Sequence, residues 1–221
     1  MFYPAAAGSV SPLFVVGIGA AGTALGLLAD LLVRRMLPHL AGSPTARMRS
    51  TTAAVSFSVS ALLAWRFGLS PELPAYLLLA AAGVQLARID LTHHLLPNRM
   101  VLPLLGAGLV FLGAAAGAAG EAGSLLRGLA GAGILFGLYL VLALTSRNGL
   151  GMGDVKLAAP LGLYLGYLGW AHLFYGGALG FVVGGIAAAV TVLKARGNKQ
   201  REVAYGPSML AAALAVILLL P

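Results

Sequence analysis

Two carboxylates in apolar surroundings are the groups of this 221-residue chain best suited to chemistry. Asp90 ends one apolar stretch and opens the segment Asp-Leu-Thr-His-His-Leu-Leu-Pro-Asn, which closes at Asn98. Asp154 closes a Gly-Met-Gly-Asp segment and precedes another apolar stretch. The chain has only six Asp and Glu residues, and a carboxylate at membrane depth is costly enough to mark a functional site by default. The two residues therefore suggest an acid–base pair.

A pair of carboxylates that share one proton can hydrolyse a peptide bond without a thiolate or a metal. The ionised carboxylate takes a proton from water, while the protonated one polarises the scissile carbonyl. Gly151 and Gly153 leave the backbone beside Asp154 accessible to an extended substrate. Pro97 discourages helix at the residue before it, so we expect the segment after Asp90 to leave its helix and line a cavity.

Each carboxylate also has a structural explanation. Asp154 precedes an apolar run, so it could be the N-cap of a helix. Asp90 could be the solvated end of a helix, paired with Arg88 two positions earlier. Either motif alone is a weak signal, because structural ion pairs also engage carboxylates. The occurrence of both motifs in one chain favours the functional interpretation.

The polar side chains next to the two carboxylates each have two possible roles. Lys156 either adjusts the electrostatics of Asp154 or anchors its helix at the membrane interface. His93 and His94 could relay protons, because histidine titrates readily, or they could simply lie in interfacial water. Four scattered histidines do not form the ligand spacing of a metal site.

Composition identifies an integral membrane protein. Apolar residues make up 60% of the chain and charged residues 9%, against roughly 25% charged residues in soluble domains. We expect a single all-α membrane domain over residues 1–221. The chain has no cysteine, which excludes disulfides and thiolate metal sites. The net charge of +8 is assigned to membrane topology and anionic lipid rather than to nucleic acid.

Apolar stretches predict about eight membrane-spanning helices, since a span needs roughly 20 apolar residues. The second, sixth and eighth are short. The predicted spans are 10–33, 51–67, 74–91, 100–118, 124–145, 155–170, 172–193 and 207–220. Gly176, Gly180 and Gly184 recur every four residues, and such a row predicts close helix packing.

Charge asymmetry predicts the orientation. With the N-terminus outside, 12 of the 14 Lys and Arg residues fall in cytoplasmic loops or helix ends, and only Arg66 and Arg127 fall outside. An excess of this size sets orientation. Asp90 and Asp154 then both lie on the cytoplasmic side. The first 33 residues contain no Lys or Arg, unlike the n-region of a signal peptide, so we expect the first span to be retained.

The motifs resemble those of type IV prepilin peptidases, which are intramembrane aspartic proteases of the Gly-x-Gly-Asp class. The resemblance covers residues 74–221. The segment from Asp90 to Asn98 matches the first catalytic motif of the family, residues 151–156 match the second, and Tyr205-Gly206-Pro207 matches an aromatic-Gly-Pro element.

The resemblance implies a role for each matching residue and a class of substrate. Asp90 and Asp154 become the catalytic pair. The implied supporting residues are Gly151, Gly153, Lys156, Pro97, Asn98, Gly206 and Pro207. The implied substrates are prepilin or pseudopilin precursors, cut at the cytoplasmic face of the bacterial inner membrane between a basic leader and a hydrophobic helix.

The chain departs from the family in its N-terminal part. A short loop, 34–51, stands where larger members carry a zinc domain with Cys-x-x-Cys pairs. Asp30 stands where members often have Asn, one turn before Arg34, and Ala204 stands where a proline is frequent. We expect proteolysis to need no cofactor, and S-adenosylmethionine to be needed only if the chain also methylates its product.

An alternative from another class is a small proton- or cation-coupled transporter or channel that uses Asp90 and Asp154. Such proteins often contain repeated halves with broken helices in matching positions. Residues 1–110 and 111–221 show no convincing repeat.

Overall fold

The computed structural model describes residues 10–38, 45–145, 151–194 and 205–221 and is all-α over these ranges. The eight helices are α1 Pro12–Met36, α2 Ala46–Phe67, α3 Leu73–His93, α4 Asn98–Ala119, α5 Ala122–Thr145, α6 Met152–Leu168, α7 Trp170–Lys194 and α8 Gly206–Leu219. Each predicted span corresponds to one of these helices, so the predicted all-α fold with eight helices is confirmed.

The largest boundary difference is at α2, which begins five residues before the predicted span. Thr45 is the N-cap, and its hydroxyl accepts a hydrogen bond of 3.3 Å from the backbone N–H of Met48. The helix therefore starts in polar sequence and carries Arg47 and Arg49 ahead of its apolar part. An apolarity criterion misses this turn because the cap, and not the bilayer, determines where the helix begins.

Helix α6 lies at the centre of the bundle. It is buried on nearly all sides, including every residue from 160 to 168. Helix α5 packs against it through glycines, since a Cβ on Gly131 would lie 2.5 Å from the carbonyl oxygen of Gly162. The backbones approach so closely because neither surface carries a side chain. The predicted row on α7 also packs closely, but against side chains: Gly176 receives Leu165 of α6, and Gly184 receives the ring of Tyr205.

Helices α1, α2 and α3 form the N-terminal part of the bundle. Buried Asp30 on α1 pairs with Arg34 at 2.6 Å, as the four-residue spacing predicts, and also with Arg88 of α3 at 2.6 Å. Buried Gln85 of α3 donates a 3.0 Å hydrogen bond from its side-chain nitrogen to the carbonyl of Gly26 on α1. These polar contacts fix α3, which carries Asp90, against α1.

Large apolar side chains cover the outer surface of the bundle. Leu13, Val110, Leu126 and Phe174 are each more than 65% exposed, as expected for surfaces that face lipid. Among the residues that the structure describes, five segments are long and apolar enough to cross a membrane: α1, α3, α4, α5 and residues 170–187 of α7. The chain is thus a multi-pass membrane protein.

Arg66 and Arg127 lie at the end of the bundle away from Asp90, and each binds the last carbonyls of a helix. Arg66 donates to the Leu220 carbonyl at 3.0 Å, and Arg127 donates to the Gly166 and Tyr167 carbonyls at 2.9 and 2.8 Å. These carbonyls have no partner within their own helix. Several predicted cytoplasmic charges, at 147, 196, 199 and 201, lie outside the described residues.

Candidate active site

Asp90 lies in the last turn of α3 and is only 4% exposed. Its Oδ2 accepts a hydrogen bond of 3.0 Å from the backbone N–H of Gly206, at the start of α8. Arg88 pairs with Asp30 instead. The interpretation of Asp90 as a solvated helix end paired with Arg88 is therefore wrong, because the packing of α1 against α3 provides Arg88 with a different carboxylate.

Asp154 lies in the first turn of α6 and is 6% exposed. The N-cap of α6 is Gly151, so the interpretation of Asp154 as the N-cap is also wrong. The Asp154 carboxylate instead accepts a hydrogen bond from the Gly151 backbone amide, and it interacts electrostatically with Asp90. The last turn of α3 and the first turn of α6 thus bring together two carboxylates that are 64 positions apart in the sequence.

The start of α8 closes one side of this pair. A Cβ on Gly206 would lie 2.8 Å from Oδ2 of Asp90 and 3.3 Å from Cδ1 of Leu96. A Cβ on Gly153 would lie 3.0 Å from the Cβ of Leu96. Buried Leu96 therefore fills the space between the two glycines. No motif in the sequence indicates a role for Leu96; its one signal is its position before Pro97, where the backbone is held extended.

The connection from α3 to α4 shapes the mouth of the site. His94 caps α3 in the left-handed region, with φ of 51°. Pro97 is extended at φ −71° and ψ 129°, and α4 begins at Asn98. The prediction that the chain leaves its helix after Asp90 is confirmed. Lys156 Nζ donates a 3.0 Å hydrogen bond to Oδ1 of Asn98 and so ties α6 to the start of α4.

Two tyrosines, Tyr139 of α5 and Tyr205 before α8, interact electrostatically with Asp154. Burial raises the pKa of the Tyr205 hydroxyl, and the nearby Asp154 carboxylate raises it further. The phenol thus stays neutral and remains a hydrogen-bond donor beside the pair. Nothing in the sequence distinguishes Tyr139, because it lies within the long apolar part of α5.

The other predicted positions fall around the same site. Pro207 is half-buried in the first turn of α8. His93 and His94 are exposed, and the His94 side chain interacts electrostatically with Asp90. Within the described ranges, no three His, Asp or Glu side chains cluster in a way that could hold a metal ion.

This arrangement can hold a proton between two buried carboxyl groups and activate a water molecule beside them. The Gly206 amide orients one carboxyl and the Gly151 amide orients the other. Gly151 is exposed and places backbone rather than a side chain next to Asp154, so an extended chain can approach the pair there.

Comparison with known proteins identifies the family. The model of the type IV leader peptidase family matches residues 76–193. A prepilin leader peptidase/N-methyltransferase of Stutzerimonas stutzeri is 34% identical over 67% of this chain and 50% of its own length. Proteins of the same name from Aeromonas hydrophila and Pseudomonas aeruginosa are 35% and 33% identical, over 71% and 67% of this chain and 51% and 50% of their own lengths.

The chain spans about half the length of the curated relatives it matches. No solved structure gives a significant match. The family model covers more than half of the chain, from α3 to α7, and includes Asp90 and Asp154. The chain therefore belongs to the type IV leader peptidase family.

Proposed function

We propose that this chain is an intramembrane aspartic endopeptidase that removes the basic leader from type IV prepilin or pseudopilin precursors. The observation that carries the proposal is the burial of Asp90 and Asp154 side by side at one end of the bundle. The names of the relatives support the substrate class. Membership of a peptidase family does not favour the transporter or channel alternative.

The proposed reaction uses the two carboxyls in turn. The ionised carboxylate takes a proton from water, and the resulting hydroxide adds to the scissile carbonyl carbon. The protonated carboxyl gives its proton to the carbonyl oxygen. When the tetrahedral intermediate collapses, the C–N bond breaks, the amine nitrogen takes up a proton from the pair, and a hydroxyl group of the intermediate returns its proton to the other carboxylate, which restores the shared proton. The two products are a free leader and a mature chain with a new amino terminus.

The supporting residues hold this pair and the substrate. Gly206 orients Asp90 through its amide, and Pro207 fixes the first turn of α8 behind it. Gly151 and Gly153 present the Asp154 side of the site without side chains. The contact between Lys156 and Asn98 keeps the starts of α6 and α4 together. In this proposal these residues position the pair, and only Asp90 and Asp154 exchange protons with the substrate.

We further propose that residues 1–221 form one peptidase domain in the bacterial inner membrane, with the N-terminus outside and the site facing the cytoplasm. Described residues Arg34, Arg47, Arg88 and Arg99 belong to helix ends that share the side of the bundle with Asp90, and Arg66 and Arg127 lie at the other end. The positive-inside rule then assigns the Asp90 side to the cytoplasm.

Methylation is a separate activity that the names of the relatives include. A binding site for S-adenosylmethionine needs polar partners for its adenosine and its amino acid group. The large cavity between α2, α3 and α8 is mostly aliphatic, with Arg88 as its one charged lining residue, and so does not suit this cofactor. We therefore propose a peptidase activity that needs neither S-adenosylmethionine nor a metal.

The test is cleavage of a co-expressed prepilin precursor, followed by its shift in electrophoretic mobility. Asp90→Asn and Asp154→Asn should each abolish cleavage and leave membrane insertion intact, because loss of one member of a catalytic unit removes nearly all activity. Glu121→Gln is the matched control, since Glu121 is exposed at the far end of the bundle. Full processing by Asp154→Asn would refute the proposed mechanism.

The absence of a metal requirement has its own test. Purified enzyme treated with a chelator should cleave a precursor at an unchanged rate. Loss of activity that a divalent metal restores would indicate a metal-assisted hydrolase. The mass of the mature amino terminus then shows whether the new amine is free, as we propose, or carries a methyl group.

A further inference from the structure

A cavity of about 420 Å³ lies between α2, α3 and α8. Its walls are mostly aliphatic side chains and small residues. It reaches the outer surface of the bundle at Val55 of α2 and Leu91 of α3, which are 47% and 64% exposed. Ala211 of α8 also lines the cavity and is exposed. The cavity is therefore open to the side of the bundle, towards the lipid.

One end of the cavity is part of the candidate active site. Pro207 lines the cavity, and its neighbour Gly206 donates the hydrogen bond to Asp90. Leu91, the residue after Asp90, lines it too. Arg88 also borders this end, but its charge is paired with Asp30. An apolar chain in the cavity would thus end beside the carboxylate pair without meeting an unpaired charge.

The cavity has the length and width to take one face of a helix. Its wall on α3 runs from Tyr76 to Leu91, a distance of about 22 Å, or four helical turns, at the rise and pitch of an α-helix. Spread over four turns, the volume provides roughly 100 Å³ per turn, which is room for one large apolar side chain. A helix that lies along the opening would place one such residue per turn into it.

We infer that this cavity is the docking site for the hydrophobic segment that follows the scissile bond of the substrate. This inference rests on the proposed function. The segment lies as a helix along α3 and α8, with one row of apolar side chains between α2 and α8. Its leading end unwinds at Gly206, where Asp90 meets the extended scissile bond. Because lipid is as apolar as the segment, side-chain packing in the cavity, rather than exclusion from water, provides the recognition.

The first test is photocrosslinking in the inactive Asp154→Asn variant, so that the precursor stays uncut. A benzoylphenylalanine is placed at Val55, beside the opening, or at Val110, a control on α4 that is 69% exposed and remote from the cavity. The inference expects a crosslink from Val55 to the hydrophobic segment of the precursor and none from Val110. Equal crosslinking at both positions, or a crosslink from Val55 only to lipid, would overturn it.

The second test narrows the opening in the active protein. Ala211→Phe places a ring on the rim of the cavity and should lower the rate of precursor cleavage about tenfold, a change typical of one lost packing contact. Val110→Phe is the matched control and should cleave normally. Normal cleavage by Ala211→Phe would overturn the docking site and leave the proposed function intact. A precursor that crosslinks at Val55 but is never cut by the native chain would instead refute the peptidase activity and retain the docking site.

Discussion

The backbone amide of Gly206 donates a 3.0 Å hydrogen bond to Oδ2 of Asp90, across 116 positions of the sequence. This contact joins the first turn of α8 to the last turn of α3. It depends on the absence of a side chain, because a Cβ on Gly206 would lie 2.8 Å from the same oxygen. The Tyr205-Gly206-Pro207 element thus contacts the Asp90 carboxylate through its backbone.

Gly206→Ala should therefore displace the Asp90 carboxylate and lower precursor cleavage by about a hundredfold, the cost of a misplacement of roughly 1 Å in a catalytic group. Gly185→Ala on α7 is the matched control, because a Cβ there would meet no atom within 4 Å. Initial cleavage rates of the two purified variants test the prediction. Equal rates would show that Gly206 does not set the position of Asp90.

The glycine contact between α5 and α6 leads to a prediction about stability. A Cβ on Gly162 would clash with the carbonyl of Gly131, and backbone atoms cannot move aside as a flexible side chain does. Gly162→Ala should lower the free energy of unfolding by about 2 kcal/mol, in the range of overpacking. Gly133→Ala, on the open side of α5, should change it by less than about 1 kcal/mol. Thermal unfolding in detergent compares them, and equal melting temperatures would contradict the prediction.

The approximate positions of the helices were predictable from the sequence, because runs of about 20 apolar residues are typical of membrane spans. The location of Asp90 and Asp154 at the same side of the bundle was predictable from the charge asymmetry of the loops. The partners of individual side chains were not. Arg88 is two positions from Asp90 in sequence, yet α1 packs against α3 and provides Asp30. With 31 glycines in the chain, no local pattern distinguishes Gly162, which cannot accept a side chain, from Gly133, which can.

Leu96 and Tyr139 show the same limit for the site. A leucine or a tyrosine does not stand out in an apolar sequence. Leu96 and Tyr139 belong to the site only because α5, α6 and α8 meet beside Asp154. By contrast, Lys156 and Asn98 were selected from the motifs, but their contact with each other depends on the packing of α4 against α6. Their roles in the reaction stay predictions.

The Asp30 ion pairs predict a stability effect separate from catalysis. Asp30→Ala leaves Arg34 and Arg88 without their shared carboxylate and should lower the free energy of unfolding by about 3 kcal/mol, since removing one partner strands a partly buried charge. Arg35→Ala, at an exposed neighbouring position, should have little effect. Chemical denaturation in mixed micelles measures the difference. An unchanged midpoint for Asp30→Ala would mean that these ion pairs do not hold α1 against α3.

The proposed orientation can be tested directly, because the chain has no cysteine of its own. Arg47→Cys introduces an exposed thiol at the start of α2, on the side of the bundle that carries Asp90, and Leu69→Cys introduces one at a position 87% exposed after the end of α2. The test uses a thiol reagent that crosses the outer membrane but not the inner membrane. In intact cells, this reagent should label Leu69→Cys. The same reagent should label Arg47→Cys only after the inner membrane is permeabilised. The reverse pattern would place Asp90 and Asp154 on the outer face, contrary to the orientation that the charge asymmetry predicts. It would also separate the two carboxylates from the proposed substrates, whose leaders are cut on the cytoplasmic side.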